Sequence, residues 1–283
     1  MITYLFPGQG AQKAGMGKDL FDHFPKHVKT ADKVLGYSIK EICLNGPEDK
    51  LSQTNYAQPA LYVVNALSYL AEVGRINDEP DFLAGHSLGE YNALFAAKAF
   101  DFETGLLLVK KRGELMAQAQ NGGMAAVVGF TKEQIEEVLQ DNKIDTIDIA
   151  NFNTNEQVVI SGKKESIINA QKLFENAGAK MYIVLKVGGA FHSRYMQEAS
   201  DEFRDFLSGF SFSSLRIPVI ANVNALPYKN EGVLENLANQ IRNPVRWLES
   251  ILYLYNQENM FFKELGEGNI LTNMLKKIQP VLA

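Results

Sequence analysis

Over 283 residues the sequence holds one cysteine, Cys43, and four histidines. A single thiol excludes an internal disulfide and a metal site built from paired cysteines, and no metal-ligand pattern is present. It fits a reducing compartment, where a lone cysteine is most often apolar filler. No basic run dominates, and a formal net charge of -5 argues against nucleic acid as the main partner. No apolar stretch is long enough to span a bilayer, so no membrane role is expected. The first basic residue is Lys13, and Pro7-Gly8 closes the opening apolar run. A secretory leader is therefore not expected, and the expected address is the cytoplasm. Internal repeats and low-complexity segments are also missing.

What is there is an ordinary globular composition, 46% hydrophobic and 22% charged. A chain of this length can bury a sizeable core, in one large domain or two unequal ones. Residues 2–6 read as a short buried strand stopped by Pro7-Gly8-Gln9-Gly10. Residues 18–35 are polar with apolar residues at helical intervals, residues 56–72 form a strong helix candidate with Pro59 in its first turn, and another helix follows Asp101. Past Gly122-Gly123 the style changes. Strands are expected at 124–130, 146–150, 157–161 and 180–187, with helices at 132–140 and 164–176. That β-α-β-β-α-β order is ferredoxin-like. It predicts an α/β fold with a small domain at 124–187 inserted in a larger one formed by 1–123 and 188–283. Beyond it, strands are expected at 217–222 and 260–265, with helices at 195–207, 234–242, 247–257 and 270–278.

The stretch around Gly85-His86-Ser87-Leu88-Gly89 carries the clearest chemistry. Apolar residues lead into it and a helix-like run follows, the pattern of a nucleophile elbow with Ser87 at the apex. The flanking glycines suit a turn in which side chains would collide. A serine nucleophile needs a base, usually histidine. His86 adjoins the serine and should point elsewhere, while His23 and His27 read as solvated surface residues. His192 remains, at the end of an apolar strand where the small domain rejoins the large one, and clefts form at such junctions. An oxyanion hole would draw one amide from Leu88 and another from the loop at 7–10. Taken alone, Arg112 reads as a helix-surface arginine.

Seven motifs then fall in a familiar order: Phe6-Pro-Gly-Gln-Gly10, Gln58-Pro-Ala-Leu61, Gly85-His-Ser-Leu-Gly-Glu-Tyr91, Lys111-Arg-Gly-Glu-Leu-Met116, Gln157-Val-Val-Ile-Ser-Gly162, Gly189-Ala-Phe-His-Ser193 and Asn243-Pro-Val-Arg-Trp247. Together they resemble the malonyl-CoA:acyl-carrier-protein transacylases over nearly the whole chain. The stretches 51–54, 62–69, 101–106 and 189–195 look closer to the free-standing, trans-acting acyltransferases of bacterial polyketide synthases than to the fatty-acid enzyme. The resemblance implies an α/β-hydrolase-like large domain carrying the ferredoxin-like one. It also implies Ser87 as nucleophile, His192 as base, and the amides of Gln9 and Leu88 as the oxyanion hole. Arg112 would hold the malonyl carboxylate, since a guanidinium matches a carboxylate with two parallel donors. Phe191 matches a position associated with unsubstituted malonyl, Gln240 a residue whose backbone carbonyl orients the histidine, and Gln58 a pocket-lining residue. One departure is visible: Glu267 stands where the family usually has proline.

The implied reaction moves a malonyl group from malonyl-CoA to the phosphopantetheine thiol of an acyl carrier protein through a malonyl-serine. Malonyl-CoA is substrate, no tightly bound cofactor is expected, and a monomer is expected. The rivals are an acyl hydrolase of the same fold and a non-catalytic carrier-protein docking module.

Overall fold

The computed structural model describes residues 1–76, 79–229 and 231–278. The chain opens with β1 (Ile2–Phe6), followed by α1 (Pro25–Leu35), α2 (Ile39–Asn45), α3 (Glu48–Leu51) and α4 (Thr54–Ile76). Next come β2 (Phe82–Gly85), α5 (Gly89–Ala96) and α6 (Phe102–Gln118). A second group contains β3 (Gly122–Val128), α7 (Lys132–Asp141), β4 (Ile147–Thr154), β5 (Gln157–Lys163), α8 (Lys164–Asn176) and β6 (Met181–Val184). A 3₁₀ turn at Arg194–Met196 leads into α9 (Gln197–Leu207), then β7 (Val219–Ile220), α10 (Val233–Gln240), α11 (Trp247–Tyr255), β8 (Phe261–Glu264) and α12 (Ile270–Leu275).

Tyr4, Leu5 and Phe6 in β1 are fully buried, which a strand tolerates only when both faces are covered. Accordingly, β1 lies inside a parallel sheet of order β7-β2-β1-β8. Helices α4, α5 and α6 pack together beside it. The second sheet, β4-β5-β3-β6, is antiparallel throughout, the order of a ferredoxin-like unit. Its strands alternate as period-two elements do. Ala125, Val127, Val158 and Ile160 share one apolar cluster with Ile135 of α7 and with Ile167 and Phe174 of α8. Met124, Ala126 and Val159 face the other way and join the core of the first group. The site lies on that second face.

Several expected boundaries move, for local reasons. Strand β3 spans Gly122–Val128 rather than 124–130, because Gly129 takes a left-handed φ of 92° and turns the chain toward α7. Strand β7 keeps only two residues of the expected six: Pro218 lacks an N–H, and the Asn222 N–H leaves the sheet to bond the Glu90 carboxylate. Strand β6 stops at Val184, after which the chain tightens into an i to i+2 turn closed by the Val187 N–H on the Leu185 carbonyl. Helix α1 begins only at Pro25 because a series of turns, including Gly17 at φ 71° against Val64 and Phe21, occupies the residues before it. Pro59 sits inside α4, past the first turn, because α4 starts at Thr54. His27 is half-buried, with Phe24 and Phe102 edge-on at 5.8 and 5.0 Å, and burial lowers its pKa; it is not the solvated residue expected. Glu267 pairs with Lys13 at 2.8 Å and ties its loop to the loop after β1.

Candidate active site

Strand β2 ends at Gly85 and α5 starts at Gly89, leaving three residues to reverse direction. Ser87 sits at the apex with φ 51°, a strained value for a residue with a side chain. The glycines are required by contact. A Cβ on Gly85 would stand 1.9 Å from the Gly89 carbonyl carbon, and one on Gly89 would stand 2.0 Å from the Phe6 carbonyl oxygen. Asn222 pins the turn from both sides: its Oδ1 accepts from the Ser87 N–H at 2.7 Å and its Nδ2 donates to the Gly85 carbonyl at 2.7 Å.

The Ser87 Oγ lies 2.8 Å from His192 Nε2. His192 itself has φ 57°, and its N–H donates to the Ile241 carbonyl at 3.0 Å. Its Nδ1 lies 2.8 Å from the Gln240 carbonyl oxygen, which can only accept. Nδ1 therefore carries the proton, Nε2 is the acceptor, and the serine hydroxyl donates. Burial first, and the Arg112 charge second, depress the imidazole pKa to about 3. The ring is held neutral and able to take a proton.

Arg112 is not on a surface. It is 1% exposed, with Nη1 donating to Gln58 Oε1 at 2.6 Å and Nη2 to Gln240 Oε1 at 2.9 Å and Ser87 Oγ at 3.1 Å. The guanidinium lies over the Tyr91 ring, 5.5 Å from its centroid. Among the described residues its hydrogen-bond acceptors are all neutral and no ion pair joins it to a carboxylate, the Glu90 charge acting on it only from further away. A buried cation without an anion against it is costly unless something else supplies the charge.

Two loops meet at the serine. A Cβ on Gly8 would stand 2.3 Å from the His86 carbonyl oxygen, so the 7–10 loop lies directly on the elbow. Asn65 of α4 holds that loop by donating to the Pro7 carbonyl at 2.9 Å. Neither the Gln9 nor the Leu88 backbone N–H donates to another described residue. Ser87, His192, Arg112, Gln9 and Phe191 all border one cavity of about 430 Å³, whose far wall comes from the second sheet. Gln58 differs from expectation: it is fully buried and absent from that wall, because its side chain is spent on Arg112 and on Met116 Sδ at 3.3 Å. Among the other histidines, His86 turns away as expected, with Nε2 at 2.9 Å from Asn153 Oδ1 and its ring against Trp247.

Three residues at the site escaped the sequence reading: Asn222, Asn65 and Glu90. Glu90 is fully buried in the first turn of α5, and burial pushes its pKa up to about 7. The one charged residue in a helix buried along its whole length was the available signal.

Elbow serine, neutral histidine, free amides and buried guanidinium, set between a parallel sheet and a ferredoxin-like unit, define an acyl-transferring serine enzyme. The chain belongs to the acyl transferase domain family, whose model matches residues 3–278. It is 55% identical over 280 residues to the polyketide biosynthesis malonyl CoA-acyl carrier protein transacylase PksC of Bacillus subtilis, covering 99% of this chain and 97% of that one. The crystal structure of malonyl CoA-acyl carrier protein transacylase from Burkholderia pseudomallei superposes with a TM-score of 0.96 at 49% identity, covering 100% of this chain and 99% of the other. A malonyl-transacylase solved in complex with a type II polyketide synthase acyl-carrier protein, PlMCAT:AntF, superposes at 0.93 with 34% identity, over 98% and 92% of the two chains.

Proposed function

We propose that this chain moves a malonyl group from malonyl-CoA to the phosphopantetheine thiol of an acyl carrier protein, in the service of polyketide assembly. The observation that carries the choice of acyl group is the buried Arg112 guanidinium with only neutral acceptors. A malonyl carboxylate supplies the missing anion; an acetyl or long alkyl chain does not. The polyketide setting is supported by the 55% identity to a relative named for that pathway.

The chemistry runs in two balanced halves. His192 Nε2 takes the Ser87 proton as Oγ attacks the thioester carbonyl carbon. Charge gathers on the thioester oxygen, where the Gln9 and Leu88 amides receive it. Collapse breaks the C–S bond, and coenzyme A leaves with the proton from His192. The carrier's thiol then gives its proton to His192 and attacks the malonyl-serine ester, and Ser87 Oγ departs with that proton. Throughout, the Gln240 carbonyl steadies the imidazolium through Nδ1–H. No step calls for a metal or a bound cofactor.

Intact mass after mixing with malonyl-CoA tests this reading. A malonyl adduct is expected on the wild type and not on Ser87→Ala, and it should pass to added holo carrier protein. Free malonate released in preference to transfer would make the chain a hydrolase, and absence of any adduct would leave only a docking role.

A further inference from the structure

The site has no carboxylate on its histidine, but it has one a layer further in. We propose that Glu90 is a positioning residue of the transfer site, holding Arg112, His192 and Ser87 in register through Gln240 and Asn222. The proposal rests on the roles just given to those three residues.

Glu90 is fully buried and does not line the cavity at Ser87, so it lies outside the reach of substrate there. Its Oε1 accepts from the Tyr228 hydroxyl at 2.6 Å and from the Asn222 N–H at 3.1 Å, and its Oε2 accepts from Gln240 Nε2. Those two amide residues distribute the constraint. The Asn222 side chain clasps the elbow on either side of Ser87. Gln240 Nε2 also donates to the Ser87 carbonyl at 2.8 Å, its Oε1 receives Arg112, and its backbone carbonyl receives His192. The Gln240 amide has only one orientation that works. Turned over, its oxygen would face the Ser87 and Glu90 oxygens and its NH₂ would face the guanidinium.

An ionised carboxylate offers two acceptor oxygens to three donors; a glutamine of the same shape offers one. In Glu90→Gln the new NH₂ meets either the Gln240 NH₂ or the Asn222 N–H. The first conflict is relieved by turning the Gln240 amide, which takes the acceptor away from Arg112. The second loosens the backbone that holds the elbow. Burial pushes the Glu90 pKa up to about 7, and the donors from Tyr228, Asn222 and Gln240, with the Arg112 charge, pull the other way and favour the ionised form. Tyr91, Tyr228, Arg112 and His192 are the titratable groups gathered around this network.

The test compares acylation of Ser87 by malonyl-CoA and by acetyl-CoA in single-turnover rapid quench, on Glu90→Gln, Glu90→Asp, Tyr228→Phe and Arg112→Ala. In folded Glu90→Gln the malonyl loading rate should fall by about ten- to a hundredfold, the scale of a misplaced catalytic group, and the malonyl-over-acetyl preference should shrink. Tyr228→Phe removes a donor from the same carboxylate and breaks no link to Gln240, so it should lower Tm and leave that preference unchanged. If Glu90→Gln does not fold, Glu90→Asp, which keeps the charge and withdraws its reach, is read in its place. Loading of both thioesters within twofold of wild type overturns the proposal, as does the same shrinkage in Tyr228→Phe, and an equal loss for both donors overturns the tie from Glu90 to Arg112. A preference untouched in Arg112→Ala instead overturns the Arg112 assignment beneath it.

Discussion

The imidazole of His192 gives its Nδ1 proton to the backbone carbonyl of Gln240 at 2.8 Å, in the position where a serine triad ordinarily places a carboxylate. A neutral carbonyl fixes the tautomer as well as a carboxylate does, but it adds no charge to stabilise the imidazolium. Burial, and after it the positive charge of Arg112 near the ring, depresses the pKa to about 3.

His192 should therefore stay neutral well below the ordinary histidine range. Long-range ¹⁵N–¹H spectra of the free enzyme should show the Nδ1–H tautomer unchanged from pH 8 to about 5. The sign for stability follows. The unfolded chain binds a proton at this residue below the ordinary histidine value of 6.5 and the folded one does not. Its contribution to stability is thus whole above that value and drains away as pH falls toward about 3. A midpoint near the ordinary histidine value in the folded enzyme would overturn the assignment.

Removing the guanidinium should separate acyl groups. Arg112→Ala should lose about 10–100-fold in malonyl loading, the weight of charge-assisted hydrogen bonds of roughly 1.5–3 kcal/mol. Acetyl loading should drop far less, limited to the loss of the bond to Ser87 Oγ. Equal losses in kcat/KM for the two thioesters would sink the clamp.

Much of this site was legible in the residues, and the part that was not has a common cause. The elbow is local: strand, glycine, serine, glycine and helix follow within ten residues, so Ser87 stood out. His192 emerged because only four histidines exist. The second sheet was readable from alternating strands and amphipathic helices, whose periods differ. Arg112 was another matter. The acceptors that bury it, Gln58 and Gln240, lie 54 and 128 residues away, and no local pattern shows whether an arginine on a helix faces water. The shortness of β7 was hidden for the same reason, since Asn222 leaves the strand for a carboxylate 132 positions earlier. Glu90 was visible as the one charge in helix α5, but its partners, Asn222, Tyr228 and Gln240, are all distant in sequence.

Two glycine-to-alanine changes should move stability in opposite directions. Gly74 lies within α4 with nothing inside 4 Å of a built Cβ, so Gly74→Ala should stabilise by up to about 1 kcal/mol through helix propensity. At Gly85 a Cβ would stand 1.9 Å from backbone, which cannot yield as a side-chain tip can. Gly85→Ala should cost at least about 3 kcal/mol or prevent folding. Denaturant midpoints at constant slope decide both, and a mild effect at Gly85 would contradict the packed elbow.

Phe191 is the side chain to trim when asking what limits the acyl group. It borders the cavity beside His192, is 6% exposed, and packs so closely that a Cβ on Gly189 would stand 2.4 Å from its ring. The ring is thus nearly buried at the cavity wall, where its bulk would oppose a branch at the acyl α-carbon. Phe191→Ala opens space there without touching the nucleophile, the base or the guanidinium. Malonyl loading should survive, while discrimination against methylmalonyl-CoA should fall by about 10–200-fold, the range for one methyl group in an apolar pocket. Competition between the two thioesters, read as the mass of the adduct on Ser87, measures it directly. If methylmalonyl remains excluded from Phe191→Ala, the limit on size lies elsewhere on the wall, with Met116 and Met124 the next side chains to shorten.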